Sequence, residues 1–292
     1  METRAGLPPF PHDARQSAEH EIADTAFWVN VSRAKRLDIS RDVYARLWVT
    51  PRSEALWEEM AREVYPNSDV SVSLRNRFYL DRLERFGASR AEPVMVNIAA
   101  GFTAYPFLLP ENYRALEVDY PKVVRFKKEK VDAWMDQGEL PRRNVDYHGA
   151  DLASEEGLTG LRDRLSSWLE GRQAFVVLEG ITYYLPRRSL DAIFAILADV
   201  LPRGSRVAFE HWPADAATYP VFARFKRHLD ETFGWSARGF TLFDRDYPAS
   251  LPGFSLIEEL DSPQVERLYS DSRALEPRDA RLPAFFKTLE RI

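Results

Sequence analysis

Apolar and polar positions follow two rhythms along this chain, and the change between them divides it. Over residues 21–86, Phe27, Trp28 and Val31, then Val43, Tyr44, Leu47 and Trp48, then Leu56, Trp57 and Met60 recur at three- and four-residue steps, the spacing of one helix face. Pro51 and Pro66 punctuate this helical block. Ser71 to Asp81 leads into its last helix, where Arg75 and Arg77 stand two apart and so point in different directions. Only one of them is expected to face a site. From residue 92 the rhythm changes to short runs that read as strands: Val94 to Ile98, β-branched and nearly uncharged, then Arg114 to Val118, Asn144 to His148, Ala174 to Leu178 and Arg206 to Phe209. Helical patterns at 121–135, 155–170 and 187–201 separate them. Strands alternating with helices predict an α/β fold with a doubly wound, mostly parallel sheet. Val94 to Ile98 and Ala174 to Leu178 read as strands covered on both faces. Residues 212–250 break the pattern, with Tyr219, Phe222, Phe225, Phe233, Trp235 and Phe240 among charges, and predict a helical insertion over the site after the fifth strand. Phe254 to Leu260 is a sixth strand candidate, and Phe285 to Ile292 fits a strand or a helix.

This pattern predicts a tail at 1–20 and one domain over 21–292, made of a helical cap (21–86), a cofactor-binding core (92–211), a lid (212–250) and C-terminal strands (251–292). The tail carries Pro8 and Pro9 and no apolar segment, so it reads as neither a signal peptide nor an anchor. With 292 residues, 45% of them hydrophobic, the chain can bury one large core. A net charge of −5 lacks the basic footprint of phosphate-backbone binding, which argues against nucleic acid. No apolar run approaches the ~20 residues of a membrane helix, and the expected location is the cytoplasm. The absence of cysteine excludes disulfides, thiolate metal sites and a cysteine nucleophile. His12, His20, His148, His211 and His228 show no ligand spacing, so no metal is expected. No Gly-x-Ser-x-Gly elbow suggests a serine nucleophile.

Candidate chemistry gathers at strand ends. Ala99, Ala100 and Gly101 follow the first strand and let backbone approach a ligand closely. Asp119 ends the second, Asp151 lies just past the third and Glu179 ends the fourth, so three carboxylates line the edge where open α/β sheets bind ligands. An acceptor-only carboxylate such as Asp119 is suited to the two hydroxyls of a ribose. Lys122, Arg125, Lys127, Lys128 and Lys130 read as a solvated helix face. A nicotinamide dehydrogenase is disfavoured because Ala99-Ala-Gly-Phe-Thr lacks the three-glycine fingerprint.

Four segments carry a resemblance. Asn97-Ile-Ala-Ala-Gly101, Glu117-Val-Asp119-Tyr-Pro121, Ala150-Asp151-Leu152 and Glu179-Gly-Ile-Thr-Tyr-Tyr184-Leu-Pro186 resemble the successive motifs of the leucine carboxyl methyltransferase family, a branch of the class I S-adenosylmethionine-dependent methyltransferases. Arg75 falls where that family places an arginine before its sheet. The resemblance implies S-adenosylmethionine as cofactor. Arg75 would pair with its carboxylate, the turn of Asn97, Ala99 and Gly101 would pass under its methionine part, and Asp119 would hold the ribose. Asp151 and Leu152 would border the adenine, and Glu179 would take the amino group. It also implies that Phe285 to Ile292 is an antiparallel strand inserted into the sheet. The chain departs from the family at Ala99, where a glycine is usual, and at Thr103-Ala104-Tyr105, where a charged pair is usual.

The leading functional expectation is methyl transfer to an oxygen of a small-molecule or peptidic acid, with a carboxylate as the first choice. A hydroxyl acceptor and a non-catalytic binding module are the alternatives. The acceptor pocket is expected between the helical block and the insertion, walled by Trp28, Tyr184, Trp212 and Phe222. Tyr184 and His211 are the candidate catalytic side chains; a carboxylate needs no general base, whereas a hydroxyl would make His211 valuable.

Overall fold

The computed structural model describes residues 27–233, 239–244, 246–247 and 251–292. The tail at 1–20, the first residues of the helical block, Trp235 and part of the 212–250 insertion lie outside the described residues. The helices are α1 (27–35), α2 (Leu37–Ser40), α3 (Pro51–Glu63), α4 (Ser68–Gly87), α5 (Tyr105–Leu108), α6 (Pro121–Asp136), α7 (Glu155–Leu169), α8 (Arg187–Val200), α9 (Pro220–Phe233) and α10 (Ser262–Tyr269). The strands are β1 (Val94–Ile98), β2 (Arg114–Asp119), β3 (Val145–Gly149), β4 (Ala174–Leu178), β5 (Arg206–His211), β6 (Phe254–Asp261) and β7 (Phe285–Arg291). Among the described residues, no helix is long and apolar enough to cross a membrane.

The seven strands form one sheet in the order β3-β2-β1-β4-β5-β7-β6. The first five are parallel, and β7 runs antiparallel between β5 and β6. That resolves the ambiguity of Phe285 to Ile292, since Val207 pairs with Leu289 and His211 with Phe285. The two apolar faces of the sheet explain the uncharged central strands β1 and β4. Val94, Val96 and Ile98 of β1, with Val176 and Leu178 of β4, pack against Leu161 and Leu165 of α7 and Ile193 and Leu197 of α8. Met95, Phe175 and Val177 face the other way, onto Leu74, Phe78, Leu83 and Phe86 of α4. Successive strand residues point to opposite faces, so the positions of such a strand are apolar unless, like Asn97 in β1, they have a hydrogen-bond partner.

Local rules set several boundaries. Pro51 and Pro121 open α3 and α6 at the position where a missing N–H costs nothing, and Thr50 and Ser53 close a capping box on α3. Asp261 and Gln264 do the same for α10, a helix that the apolar rhythm did not reveal. One sequence expectation is overturned. Lys127 is not on a solvated face: it lies on the stripe of Val123, Val124 and Val131 that α6 turns inward, is buried, and places its Nζ 2.7 Å from Oε2 of the equally buried Glu117 of β2.

Candidate cofactor-binding site

The strand order reverses between β1 and β4, and a cavity of about 560 Å³ opens at their carboxyl ends. This is the crevice that doubly wound folds use for ligands, and its size lies in the range of roughly 300–1,000 Å³ usual for small-molecule sites. Its floor is built from the turn after β1. Ala99 adopts a left-handed φ of 59° and Gly101 one of 48°. For alanine that conformation costs about 1–2 kcal/mol, which is why glycine suits the position and why the strain sits beside a site. Two hydrogen bonds hold the turn where the family's charged pair is missing. Asn97, fully buried behind it, donates Nδ2–H to Thr103 Oγ1 at 2.8 Å, and that hydroxyl donates to the Ala100 carbonyl at 3.0 Å. Asn97 therefore supports the cavity without facing it.

Asp119 reaches the cavity from the end of β2. Its two carboxylate oxygens accept the Gly101 and Tyr120 N–H groups at 2.7 Å each, and burial, opposed by these bonds, raises its pKa. Each oxygen retains a lone pair. Ala150, Leu152 and Ala153 form the next stretch of wall, whereas the Asp151 carboxylate turns back to accept the Ala153 N–H at 2.9 Å and is not among the cavity-facing residues. We expect Asp119→Asn to weaken binding of an adenosine ligand by roughly 10- to 100-fold, the loss of one or two charge-assisted bonds. Calorimetry with adenosine-containing ligands checks it, and unchanged affinity in a folded variant would assign Asp119 to turn support alone.

At the far end the side chains converge on Glu179. Its Oε1 accepts Arg33 Nη2–H at 2.6 Å and Arg75 Nε–H at 3.0 Å, and its Oε2 accepts the Tyr105 hydroxyl at 2.5 Å. Burial alone would raise its pKa, but Arg33 and Arg75 outweigh it and hold Glu179 below the usual carboxylate range. Arg75 also donates to the Tyr183 hydroxyl at 3.2 Å and lies 3.7 Å from Glu210. Glu210 accepts the Gly180 N–H at 2.6 Å and the Tyr79 hydroxyl. Burial, opposed by Arg75 and reinforced by Glu179, pushes Glu210 up to about 7. Gly180 has a φ of 70°, and a Cβ there would sit 3.4 Å from the Arg75 guanidinium, so the turn after β4 requires glycine. Arg77, in contrast, lies over the Tyr269 ring at 5.2 Å, so of the two arginines only Arg75 faces the cavity.

The opposite wall is aromatic. Tyr183 and Trp212 stack at 3.8 Å, and Trp28, Tyr184 and Phe225 complete the surface. Phe222 stands behind Trp212 rather than on the cavity. Met60 and Val64 at the α3 end and Leu229 of α9 close this cluster, so the helical block and the insertion do meet here.

His211 is not brought to the site. Strand alternation turns Glu210 to the cavity and His211 to the opposite face of β5, where its ring lies 5.7 Å from both Phe243 and Phe285 and its side-chain nitrogens have no hydrogen-bond partner among the described residues. Burial, with Lys287 nearby, lowers it to about 4. We expect His211→Ala to cost about 2–4 kcal/mol of stability, by loss of a buried ring, while leaving ligand affinity intact. Because its folded pKa is depressed, His211 makes the wild type lose stability as pH falls from about 6.5 toward 4, and the variant should lack that loss. Urea unfolding at pH 5 and 7.5 measures both.

Arg33, Tyr79, Tyr105, Tyr183 and Glu210 escaped sequence reasoning. Tyr183 and Glu210 adjoined residues already singled out, while Arg33 was one basic residue in an amphipathic helix.

A seven-stranded sheet with this order, bearing its cavity at the β1–β4 switch point, is the fold of the class I methyltransferases. A solved Thermobifida fusca protein, provisionally named a methyltransferase, shares it with a TM-score of 0.58 at 17% identity over 86% of this chain and 93% of that one. The chain belongs to the leucine carboxyl methyltransferase family, whose sequence model matches residues 12–198. A Saccharopolyspora erythraea relative is 31% identical over 210 residues, or 68% of this chain and 64% of that protein. A Mycobacterium marinum relative is 29% identical over 144 residues, 49% of this chain. Both are provisionally named S-adenosyl-L-methionine-dependent methyltransferases. The chain spans about half the length, 46%, of the mycobacterial relative.

Proposed function

We propose that the protein is an S-adenosylmethionine-dependent O-methyltransferase that acts on the carboxylate of a small-molecule or peptidic acid. The observation that carries this reading is the convergence of Arg75, Asp119 and Glu179, from three separate family segments, on one cavity. The donor set fits the cofactor. A guanidinium fork suits its carboxylate, an ionised Glu179 suits its ammonium group, Asp119 suits the ribose, and Ala150 and Leu152 offer an apolar edge to the adenine. When bound, S-adenosylmethionine supplies a methyl group already activated on a sulfonium. The chain then has to orient the acceptor in line and exclude water, and the walls of Trp28, Tyr184, Trp212 and Phe225 suit both tasks.

A carboxylic acid with a pKa near 4 is already an anion at neutral pH and needs no base. The seclusion of His211 supports that reading. The hydroxyl alternative has one observation in its favour, the cavity-facing Glu210 titrating at about 7, the range of an effective general base. Both of its oxygens are engaged by Gly180 and Tyr79, which weighs against it. The test has two steps. Calorimetry with S-adenosylmethionine and S-adenosylhomocysteine comes first, and binding of neither would overturn the cofactor assignment. Transfer from methyl-labelled cofactor into a small-molecule extract follows: label released as methanol by mild alkali marks a carboxyl ester, and alkali-stable label an ether.

A further inference from the structure

Tyr65 and Tyr183 are buried in one aromatic cluster with Trp212 and Phe225, and both line the cavity. Each hydroxyl oxygen accepts one hydrogen bond, that of Tyr65 from the Leu282 N–H at 3.4 Å and that of Tyr183 from Arg75 Nη1–H at 3.2 Å. Among the described residues, neither O–H donates to a carbonyl or carboxylate oxygen. Other hydroxyls around the site do: Tyr79 donates to Glu210, Tyr105 to Glu179 and Thr241 to the Leu185 carbonyl at 2.6 Å. A buried donor without an acceptor is costly, so a pair of them in a cavity wall points to a ligand that accepts. Burial keeps both phenols neutral, with Tyr65 pushed up to about 12 and Tyr183 raised well above its usual range against the pull of Arg75. The two hydroxyls also share one end of the cavity. Ser71 stands beside that of Tyr65 and Arg75 beside that of Tyr183, and these neighbours, four residues apart, occupy one face of α4 on successive turns.

We propose that the Tyr65 and Tyr183 hydroxyls form the acceptor subsite and bind the carboxylate of the methyl acceptor between them. The assignment rests on the carboxylate reading above. Two neutral donors suit a substrate that arrives as an anion, and they orient it while leaving its charge on the oxygen that attacks; a guanidinium in their place would neutralise that charge. In the transfer one carboxylate oxygen forms its bond to the methyl carbon as the carbon–sulfur bond breaks, and that electron pair passes to sulfur. No proton moves, so neither tyrosine has to ionise.

The test uses the full chain, methyl-labelled S-adenosylmethionine and the small-molecule extract, scored as alkali-labile label. Tyr65→Phe and Tyr183→Phe keep the ring and remove the hydroxyl. Tyr113→Phe is the control, since the Tyr113 hydroxyl donates to the Leu83 carbonyl away from the cavity. The amount of extract that gives half-maximal transfer is expected to rise roughly 10-fold in each single variant and roughly 30-fold or more in the double variant, the loss of one and then two hydrogen bonds to a charged group. Calorimetric affinity for S-adenosylhomocysteine should stay within about threefold of wild type throughout, and the control should match wild type in both measurements. Unchanged half-saturation in either single variant would overturn the paired subsite. So would a loss of S-adenosylhomocysteine affinity as large as the loss in transfer, which would give the hydroxyls to the cofactor or to the fold. Should Tyr65→Phe fail to fold, Tyr183→Phe decides on the same comparison. A wild type that yields only alkali-stable label, or none, would instead sink the carboxylate reading and this subsite with it.

Discussion

Lys127→Met is expected to destabilise the protein by about 3–5 kcal/mol at pH 7.5, because it leaves Glu117 as an unpaired buried charge. Lys127 and Glu117 are 2% and 1% exposed, with 2.7 Å between Nζ and Oε2, and burial already raises Glu117 against the opposing pull of Lys127. Losing the lysine removes that pull, so the folded-state pKa of Glu117 climbs further above its unfolded value. A raised carboxyl contributes its full share to stability below the unfolded pKa and loses it as pH rises through the folded pKa. The deficit of the variant should therefore be smallest near pH 5 and grow through neutrality. Adding Glu117→Leu should recover most of the loss, since replacing both partners by apolar groups removes the desolvation cost altogether. Urea unfolding of the three variants at pH 5 and 7.5 measures this. A Lys127→Met variant within about 1 kcal/mol of wild type at both values would mean that water reaches the pair.

Arg75→Met should weaken binding of S-adenosylmethionine and S-adenosylhomocysteine by 100-fold or more. Arg75 contributes a planar fork with Nε on Glu179 and Nη1 on Tyr183, so its position is fixed before any ligand arrives. Two charge-assisted bonds at about 1.5–3 kcal/mol each account for the size of the loss. Arg75→Lys should fall between, because an ammonium group keeps the charge and loses the fork. Arg77→Met should stay within about threefold, since its guanidinium lies over Tyr269, away from the cavity. Equal effects at 75 and 77, read by calorimetry, would mean that α4 is not what anchors the ligand.

The chain's own pattern carries much of this. β1 and β4 were legible because a strand buried on both faces leaves almost no polar residue, and Val94 to Ile98 and Ala174 to Leu178 have the bounds observed. Asp119 and Glu179 were legible because strand ends in such folds meet at one edge, and the Ala99 to Gly101 turn because small residues follow a buried strand there. What escaped depends on direction rather than on composition. Lys127 read as solvated because the lysines around it are, yet α6 turns that one inward beside Val123 and Val131. Glu210 and His211 are adjacent in sequence, and the pleat sends one to the cavity and the other into the core. Arg33 lies 146 positions before the glutamate it pairs with, and Glu210 lies 131 after the tyrosine that bonds it. Local periodicity fixes which face of its own element a residue occupies. Which partner that face meets is decided only when distant elements pack, because long-range contacts are chosen by the whole core at once and leave no mark on the residues next in line.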